Sequence, residues 1–282
     1  MKGRGKAGGA VSIVNAISIG RGAALGIGLE TTATLQIIDE PVYTLTINGE
    51  HAEPVLAKAV VETFSRQTGV EALGARVETV SNIPVAVGLK SSSSAAVAIA
   101  KAFLDAVGKT MPTEELLKNV ADASVASGTS ITGAMDDAAA CMLGGAVVTD
   151  NIKRKILRRQ KIAEKLEAIV YVPHGRTYTS QFRKELLTPV KFVVETAFNL
   201  ALNGQYWTAM TINGLAHSAA LGLPTQPTIK ALEAGALAAG LSGTGPAVAA
   251  VAHEEKADKV AEALQLYEGK VIRCSVNRGD GS

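Results

Sequence analysis

The stretch PVAVGLKSSSSAAVAIAKAF, Pro84 to Phe103, constrains this chain more than any other. Four consecutive serines follow Gly-Leu-Lys and lead into an alanine-rich apolar segment that predicts a helix. The first amide groups of a helix lack intrahelical partners and carry the positive end of the helix dipole, a geometry that binds phosphate. Lys90 adds a cation beside them. The residues alone leave two interpretations open, a phosphate-binding loop or an ordinary helix cap with surplus serines.

Bulk composition argues against several classes of protein. The chain has 282 residues, 47% of them hydrophobic, which suffices for one large domain or two ordinary ones. A net charge of +2 and an aromatic content of 4% give no basis for a nucleic-acid or membrane-surface partner. The two cysteines form no metal or disulfide pattern, and no apolar run is long enough to cross a membrane. We therefore expect a cytoplasmic protein, monomeric or homodimeric, without a signal peptide.

Hydrophobic periodicity predicts a mixed order of strands and helices. Strands are predicted at 11–19, 31–38, 42–47, 76–80, 168–172 and 271–276, with others starting at Gly145 and after Pro246. Helices are predicted at 53–67, 92–107, 180–187, 190–202, 206–220, 228–239 and 254–267, with two more starting at a Thr113 capping box and at Asp136. Because the elements do not alternate strictly, the class is α+β. A change to basic residues near Asp150 divides the chain into domains 1–150 and 151–282.

A basic segment follows this boundary. Residues 151–161, NIKRKILRRQK, carry six cationic side chains and no acidic one. Two interpretations stay open, an anion-binding strip or the solvated face of an edge strand.

Two further motifs have the composition of functional loops. Ser242-Gly-Thr-Gly-Pro246 places two glycines and two hydroxyls before a predicted buried strand, as either a tight binding concavity or a plain strand-entry turn. Gly133-Ala-Met-Asp-Asp137 places two carboxylates between a polar loop and an apolar helix. Such carboxylates act as a general base or a magnesium ligand, or they simply cap the helix. The four histidines show no catalytic or metal-binding spacing.

Together and in this order, the three motifs resemble those of the GHMP kinases, the family of galactokinase, homoserine kinase and mevalonate kinase. The family's phosphate loop, P-x-x-x-G-L-x-S-S, matches Pro84 through Ser92, and its Ser-Gly-x-Gly turn matches Ser242 through Gly245. Its glycine-rich N-terminal motif matches residues 7–28. The resemblance covers most of the chain. It implies a two-domain α+β fold, an N-terminal domain with the phosphate loop and a ferredoxin-like C-terminal domain, with the active site between them.

The resemblance also implies roles for particular residues. Counting back from Gly144 puts the family's catalytic aspartate at Asp137, whereas the galactokinase pattern Gly-x-Met-Asp puts it at Asp136; we favour Asp137. Mevalonate kinase-like members carry a glutamate magnesium ligand where this chain has Ala126, so Mg²⁺ would rest on the ATP phosphates, Ser92 and Asp137. The implied ATP-binding residues are Pro84, Val85, Ala86, Val87, Gly88, Leu89, Lys90, Ser91, Ser92, Ser93, Ser94 and Ala95.

Three details narrow the resemblance to the archaeal shikimate kinases. These are Lys90 followed by extra serines, the N-terminal Ser12-Ile-Val-Asn15, and the aspartates within Thr132-Gly-Ala-Met-Asp-Asp137. The resemblance implies transfer of the ATP γ-phosphoryl group to the 3-hydroxyl of shikimate. Homoserine kinase, another small-molecule kinase of the family, and a non-catalytic ligand sensor on the same fold remain alternatives.

A small carboxylate with three hydroxyls requires an arginine and several hydrogen-bonding partners. Four arginines are candidates for the carboxylate contact, namely Arg21, Arg176, Arg183 and Arg273. The implied substrate-binding residues are Ser12, Asn15, Arg21, Arg176, Tyr178, Ser242, Gly243, Thr244 and Gly245.

Overall fold

The structure, a computed structural model, describes residues 1–174 and 183–279. Within them, seven strands from the first 160 residues form one sheet. They are β1 (Lys2–Val14), β2 (Arg21–Ile38), β3 (Tyr43–Ile47), β4 (Glu50–Ala52), β5 (Gly74–Ser81), β6 (Ala146–Asp150) and β7 (Lys155–Gln160). The strand order is β4-β3-β5-β2-β6-β7, and β1 pairs antiparallel with β2 from Lys2 to Val14.

Three helices pack against this sheet and a fourth, α3, packs on those helices; the apolar side chains between these elements form the first hydrophobic core. The helices are α1 (Val55–Thr68), α2 (Ser91–Ala106), α3 (Thr113–Ala126) and α4 (Met135–Leu143). Helix α2 lies directly on β1, where a side chain at Gly3 or Gly5 would overlap the backbone of Ala102 or Ala98. The glycine-rich strand and the alanine-rich helix therefore complement each other in close packing.

The second sheet has four antiparallel strands. They are β8 (Leu166–Pro173), β9 (Ala238–Leu241), β10 (Val248–His253) and β11 (Gly269–Ser275), in the order β11-β8-β10-β9. A 3₁₀ helix (Lys184–Val190) precedes α5 (Lys191–Leu202), α6 (Tyr206–Ala220) and α7 (Gln226–Glu233), and α8 (Glu254–Gln265) connects the last two strands. Numbered within this sheet, the strand order is 4-1-3-2, which confirms the ferredoxin-like domain.

The two sheets share a second core. It joins Ile13 and Leu25 of the first sheet to Val170 of the second and Phe198 of α5. A third core lies under α7 and α8. The division at Asp150 stays a prediction: β6 and β7 are paired across it, and the chain enters the second sheet at β8.

Several predicted elements differ from the observed ones at their ends. The strand predicted at 11–19 runs instead from Lys2 to Val14, and the one predicted at 31–38 is the second half of β2. Glycines interrupt both sequence patterns, but the close approach of α2 requires some of them within the strand. Of the helix predicted at 180–187, residues 180–182 lie outside the described part of the chain, and residues 184–187 belong to a 3₁₀ helix.

The predicted end of one helix and the predicted capping box of another were wrong. The helix predicted at 228–239 ends at Glu233, and Ala238–Leu241 forms β9, because Gly235 has a φ of 103° and the strand is buried on both faces. The capping box at Thr113 is absent from the described contacts, since Pro112 occupies the cap position of α3. Helix α4 begins at Met135, and its two aspartates make contacts other than capping hydrogen bonds.

The basic segment is an edge strand, as one of its two interpretations predicted. Strand β7 is the last in the sheet order. Its arginines bind within the molecule: Arg158 donates to the carbonyl of Leu202 at the end of α5, and Arg159 donates to that of Leu143 at the end of α4. Cations at helix C-termini offset the negative end of the helix dipole.

Candidate active site

A cavity of about 120 Å³ lies where four segments of the chain meet. Residues 84–95, here called the serine loop, form one wall together with the start of α2. The α3–α4 loop, residues 127–134, forms a second wall with the first turn of α4. The segment after β1 and the turn after β9 complete the lining with Asn15, Gly243 and Thr244. Residues of all the predicted motifs thus meet at one site.

Within the serine loop, a left-handed turn at Lys90 precedes the start of α2. Lys90 is the residue before the helix, with a φ of 61° and a ψ of 32°. The amide of Ser94 donates to the carbonyl of Lys90 at 2.9 Å and is the first to close a helical turn. The amides of Ser91, Ser92 and Ser93 therefore precede the helical hydrogen-bond ladder, and these three residues line the cavity. The wall is an anion site of the helix N-terminal kind.

The four serines divide between two environments. Ser91, Ser92 and Ser93 line the cavity, whereas Ser94 is fully buried and its hydroxyl donates to the carbonyl of Ala7 at 3.4 Å. The serine loop also contributes apolar side chains to the shared core, namely Val87 and Leu89. Of the residues that the sequence assigned to ATP, Ala86, Gly88 and Lys90 line the cavity with the three serines. Pro84, Val85, Val87, Leu89, Ser94 and Ala95 are not among its lining residues.

Backbone contacts join the serine loop to the turn after β9. The hydroxyl of Ser242 donates to the carbonyl of Gly88 at 2.8 Å, and the amide of Ala247 donates to that of Val87 at 3.2 Å. Gly88 has a φ of 96°, and a side chain there would overlap the backbone oxygen of Ser242. The glycine is thus required both by its conformation and by the closeness of the two chains.

A buried polar network fixes the segment after β1 to the same turn. The amide of Gly243 donates to the hydroxyl of Ser12 at 3.0 Å, and the amide of Ser12 donates to the hydroxyl of Ser242 at 3.1 Å. The side chain of Asn15 donates to the carbonyl of Gly243 at 2.7 Å, and its backbone amide donates to the side chain of Asn213 on α6 at 3.1 Å. Asn15 faces the cavity, while Ser12 supports the wall from behind.

The remaining residues assigned to the substrate lie in other places. Arg21 starts β2, and its guanidinium lies 4.8 Å from the ring centroid of Phe198, outside the cavity lining. Arg273 is paired with Glu167 and Asp258. Arg176 and Tyr178 lie outside the described residues. The structure therefore brings Asn15, Gly243 and Thr244 to the cavity and leaves Arg21, Arg273, Ser12, Ser242 and Gly245 away from its surface.

The two aspartates of α4 occupy different positions in the cavity wall. Asp137 is 8% exposed, and its Oδ1 lies 3.0 Å from Lys90 Nζ. The two side chains therefore form a largely buried ion pair. Asp136 is 3% exposed, and Asn151 donates to its Oδ1 at 2.8 Å. Asp137 is thus the carboxylate beside the N-terminus of α2, and Asp136 lies deeper in the protein.

Burial makes Asp136 a weak acid. Desolvation and, next, the charge of Asp137 raise the pKa of Asp136 to about 7, against Lys90 and the Asn151 hydrogen bond, which lower it. At pH 7 the Asp136 carboxyl group is therefore protonated in about half of the molecules.

We expect Asp136 to make stability depend on pH. Its pKa is about 7 in the folded protein against 3.8 in the unfolded chain, so its stabilising contribution is complete at low pH and is lost as pH rises through 7. Asp136→Asn cannot titrate and escapes this loss. Urea unfolding from about pH 4.5 to about pH 7.5 should show the variant gaining stability relative to wild type as pH rises.

The opposite trend of a buried histidine cancels in this comparison. Burial lowers the pKa of His217 to about 4, so its effect on stability rises with pH over part of the same range. Because His217 is present in both proteins, only the Asp136 effect remains in the difference. A difference in unfolding free energy that is constant with pH would contradict the raised pKa.

Sequence reasoning missed several residues of the site. Thr129, Ser130, Ile131 and Thr132 line the cavity, and the side chain of Asn151 reaches both Asp136 and, at 3.2 Å, the hydroxyl of Thr132. The hydroxyl-rich composition of SGTSIT, just before the aspartates, was an available signal for the loop. The sequence holds no comparable signal for Asn151.

Two features are absent from the described part of the chain. Within residues 1–174 and 183–279, no three His, Cys, Asp or Glu side chains are grouped so as to hold a metal ion. Over the same ranges, no helix combines the length and apolar character needed to cross a membrane.

Comparison with known proteins gives similarity along nearly the whole chain. The family models described as GHMP kinases N terminal domain and GHMP kinases C terminal match residues 55–145 and 210–269. A shikimate kinase of Methanothermobacter thermautotrophicus is 39% identical, over 95% of this chain and 93% of that protein. A shikimate kinase of Methanosarcina mazei is 40% identical, over 98% of this chain and 95% of that protein.

Solved structures show the same fold at low sequence identity. A homoserine kinase from Cytophaga hutchinsonii superposes with a TM-score of 0.76 at 18% identity, covering 98% of this chain and 95% of its own. A mevalonate kinase from Methanococcus jannaschii superposes with a TM-score of 0.75 at 16% identity, covering 98% of each chain. At these identities the similarity extends to the fold alone.

Proposed function

This chain belongs to the GHMP kinase family, and on that premise we propose that it is a shikimate kinase. It would transfer the γ-phosphoryl group of ATP to the 3-hydroxyl of shikimate, giving shikimate 3-phosphate and ADP. The observation that carries the reaction type is the Asp137 carboxylate, held beside Lys90 at the N-terminus of α2. The identity of the acceptor is supported by the name of the relatives at 39% and 40% identity.

The serine loop is proposed to bind the phosphates of ATP. Phosphoryl transfer depends on positioning and on neutralising charge over the transferred group. The free amides at the start of α2, the hydroxyls of Ser91, Ser92 and Ser93, and the ammonium of Lys90 supply donors and positive charge at one wall. Because Gly88 has no side chain, the backbone of the serine loop can lie close to the backbone of Ser242.

Asp137 is proposed to accept the proton of the attacking hydroxyl. Asp137 lies beside Lys90, whereas the pKa of Asp136 is raised to about 7 and its carboxyl group is bound to Asn151. A carboxylate that orients the hydroxyl and removes its proton as the oxygen–phosphorus bond forms lowers the barrier to attack. Asp136 would keep the first turn of α4 in place. The leaving ADP oxygen departs on the opposite side of the phosphorus.

The donor set fits Mg²⁺ bound through the nucleotide. Mg²⁺ prefers oxygen ligands and is commonly held by one or two carboxylates together with substrate phosphates, rather than by a cage of protein groups. A serine hydroxyl and one carboxylate beside a phosphate site meet that description. We propose Ser92 and Asp137 as the protein ligands. When bound, the ion neutralises charge on the phosphates.

The acceptor would lie against the remaining walls of the cavity. Asn15, Gly243 and Thr244 line it there, together with the hydroxyl-bearing residues of the α3–α4 loop. Ser12, Ser242 and Gly245 would act indirectly, by holding these walls. The arginine that meets the carboxylate stays a prediction among Arg21, Arg176, Arg183 and Arg273. Of these, Arg21 is outside the cavity lining and Arg273 is paired with Glu167 and Asp258.

The proposed substrate can be tested with purified protein, ATP and Mg²⁺. We expect ADP release with shikimate to exceed that with homoserine at least about a hundredfold, because a site built for one set of hydrogen-bonding groups rejects an acceptor that lacks them. Mass spectrometry of the product should show shikimate 3-phosphate. Turnover of homoserine without shikimate would favour homoserine kinase. Binding of both ligands with no transfer at any Mg²⁺ concentration would favour a ligand sensor.

We further propose that the protein works in the cytoplasm on these small molecules, without a nucleic-acid or membrane partner. Its oligomeric state, monomer or homodimer, stays a prediction. Light scattering of the purified protein distinguishes the two.

A further inference from the structure

One arginine that lies outside the cavity lining makes hydrogen bonds to three segments of the chain. Arg154 lies in the β6–β7 turn, residues 151–154, and has a left-handed φ of 53°. Its Nη1 donates to the backbone carbonyl of Thr132 at 2.6 Å and to that of Asn151 at 2.5 Å. Its Nε donates to the carboxylate of Asp122 on α3 at 3.1 Å. The guanidinium therefore joins the turn, the α3–α4 loop and the end of α3.

The loop that Arg154 holds is the cavity wall that leads into the aspartates. A side chain at Gly133 would overlap the guanidinium, so the loop backbone lies directly against Arg154. The same turn reaches the loop a second time, because Asn151 donates to the hydroxyl of Thr132 at 3.2 Å and to Asp136 at 2.8 Å. Both the backbone and the side chain of Thr132 are thus fixed from outside the cavity.

The ion pair with Asp122 contributes little to holding the α3–α4 loop. The side chain of Asp122 is 62% exposed, and an ion pair with so exposed a partner contributes little. Both carbonyl bonds come from Nη1 while the planar guanidinium directs Nε to Asp122, a combination that the single ammonium group of a lysine reproduces only in part. Arg154 is not among the residues lining the cavity, so it acts on a ligand only through the loop.

We infer that Arg154 is a positioning residue for the phosphoryl acceptor. The phosphates are assigned to the start of α2, whereas Thr132 and its neighbours lead into Asp136 and Asp137, where the attacking hydroxyl has to be. Fixing this wall sets the shape of the acceptor side of the cavity and leaves the nucleotide side largely unaffected. The inference rests on the proposed function for the identity of the acceptor.

The test compares Arg154→Ala with Arg154→Lys and Arg158→Ala. Arg158 is a matched control on the neighbouring strand: it donates to the carbonyl of Leu202 and to the hydroxyl of Tyr206, away from the cavity. We expect Arg154→Ala to raise the KM for shikimate by about tenfold or more, with the KM for ATP within about twofold of wild type. Arg154→Lys should recover part of this loss, and Arg158→Ala should change neither constant by more than about twofold.

Three results would overturn the inference: an unchanged KM for shikimate in Arg154→Ala, an equal rise in both KM values, or an equal effect of Arg158→Ala. The wild-type enzyme, measured in the same assay, separately decides the proposed function. If wild type phosphorylates a different acceptor, the three variants are compared with that acceptor. The role of Arg154 is then still decided by whether the acceptor KM rises alone.

Discussion

Replacement of Asp137 by asparagine is expected to lower kcat by about two to four orders of magnitude and to leave the KM for ATP within about threefold of wild type. Asparagine keeps the size of the side chain but cannot accept the proton of the hydroxyl. The serine loop, which carries the proposed ATP contacts, is unchanged by the substitution. Steady-state kinetics with both substrates varied would measure the two constants.

Asp136→Asn is the matched control for this variant. Because the pKa of Asp136 is raised to about 7, an uncharged amide resembles the protonated form that about half of the molecules hold at neutral pH, and its Oδ1 can still accept the bond from Asn151. We expect its kcat to stay within about tenfold of wild type. Near-normal turnover of Asp137→Asn together with an inactive Asp136→Asn would reverse the assignment.

Gly88→Ala is expected to abolish measurable binding of ATP and to lower the free energy of unfolding by about 2–5 kcal/mol. The new side chain would overlap the backbone oxygen of Ser242, at a φ of 96° that alanine disfavours. Since the obstacle is main chain, relief requires the serine loop to move away from the turn after β9. Urea unfolding and calorimetric titration with ATP measure the two effects.

Gly108→Ala separates the overlap from the backbone strain. Gly108 follows α2 with a φ of 64°, and no atom lies within 4 Å of the position that its side chain would take. This variant should lose about 1 kcal/mol of stability and keep the kinetic constants of wild type. If Gly88→Ala behaved like Gly108→Ala, the closeness of Gly88 to Ser242 would have no bearing on ATP.

The sequence was informative wherever a feature is local along the chain. Gly88, Lys90 and the serines are consecutive, and their meaning as a helix N-terminus follows from short-range rules. The two aspartates stand just before an apolar helix, so their place at its first turn was predictable. The ferredoxin-like domain followed from the resemblance of three motifs rather than from the elements, since the alanine-rich strand β9 has the composition of a helix.

What could not be predicted depends on contacts between distant parts of the chain. The amide of Asn15 meets Asn213 across 198 residues, and nothing near either asparagine in the sequence indicates the other. Ser94 looks like its three neighbours, but the helical turn directs it to Ala7 and away from the cavity. The cations of β7 could be taken for an anion site because no acidic partner is present in their segment. Their observed partners are the backbone carbonyls of Leu202 and Leu143, which no sequence pattern indicates.

The bond from Ser242 to Gly88 makes the nucleotide site a composite of both halves of the chain. It spans 154 residues, and the neighbouring bond from Ala247 to Val87 spans a similar length. A fragment that ended before β8 would contain every residue of the serine loop but neither Ser242 nor Ala247, the two donors that reach its backbone from the second half of the chain. We therefore expect the serine loop to depend on the second sheet for its shape, so that a change which separates the two sheets would weaken nucleotide binding without altering any residue of the loop.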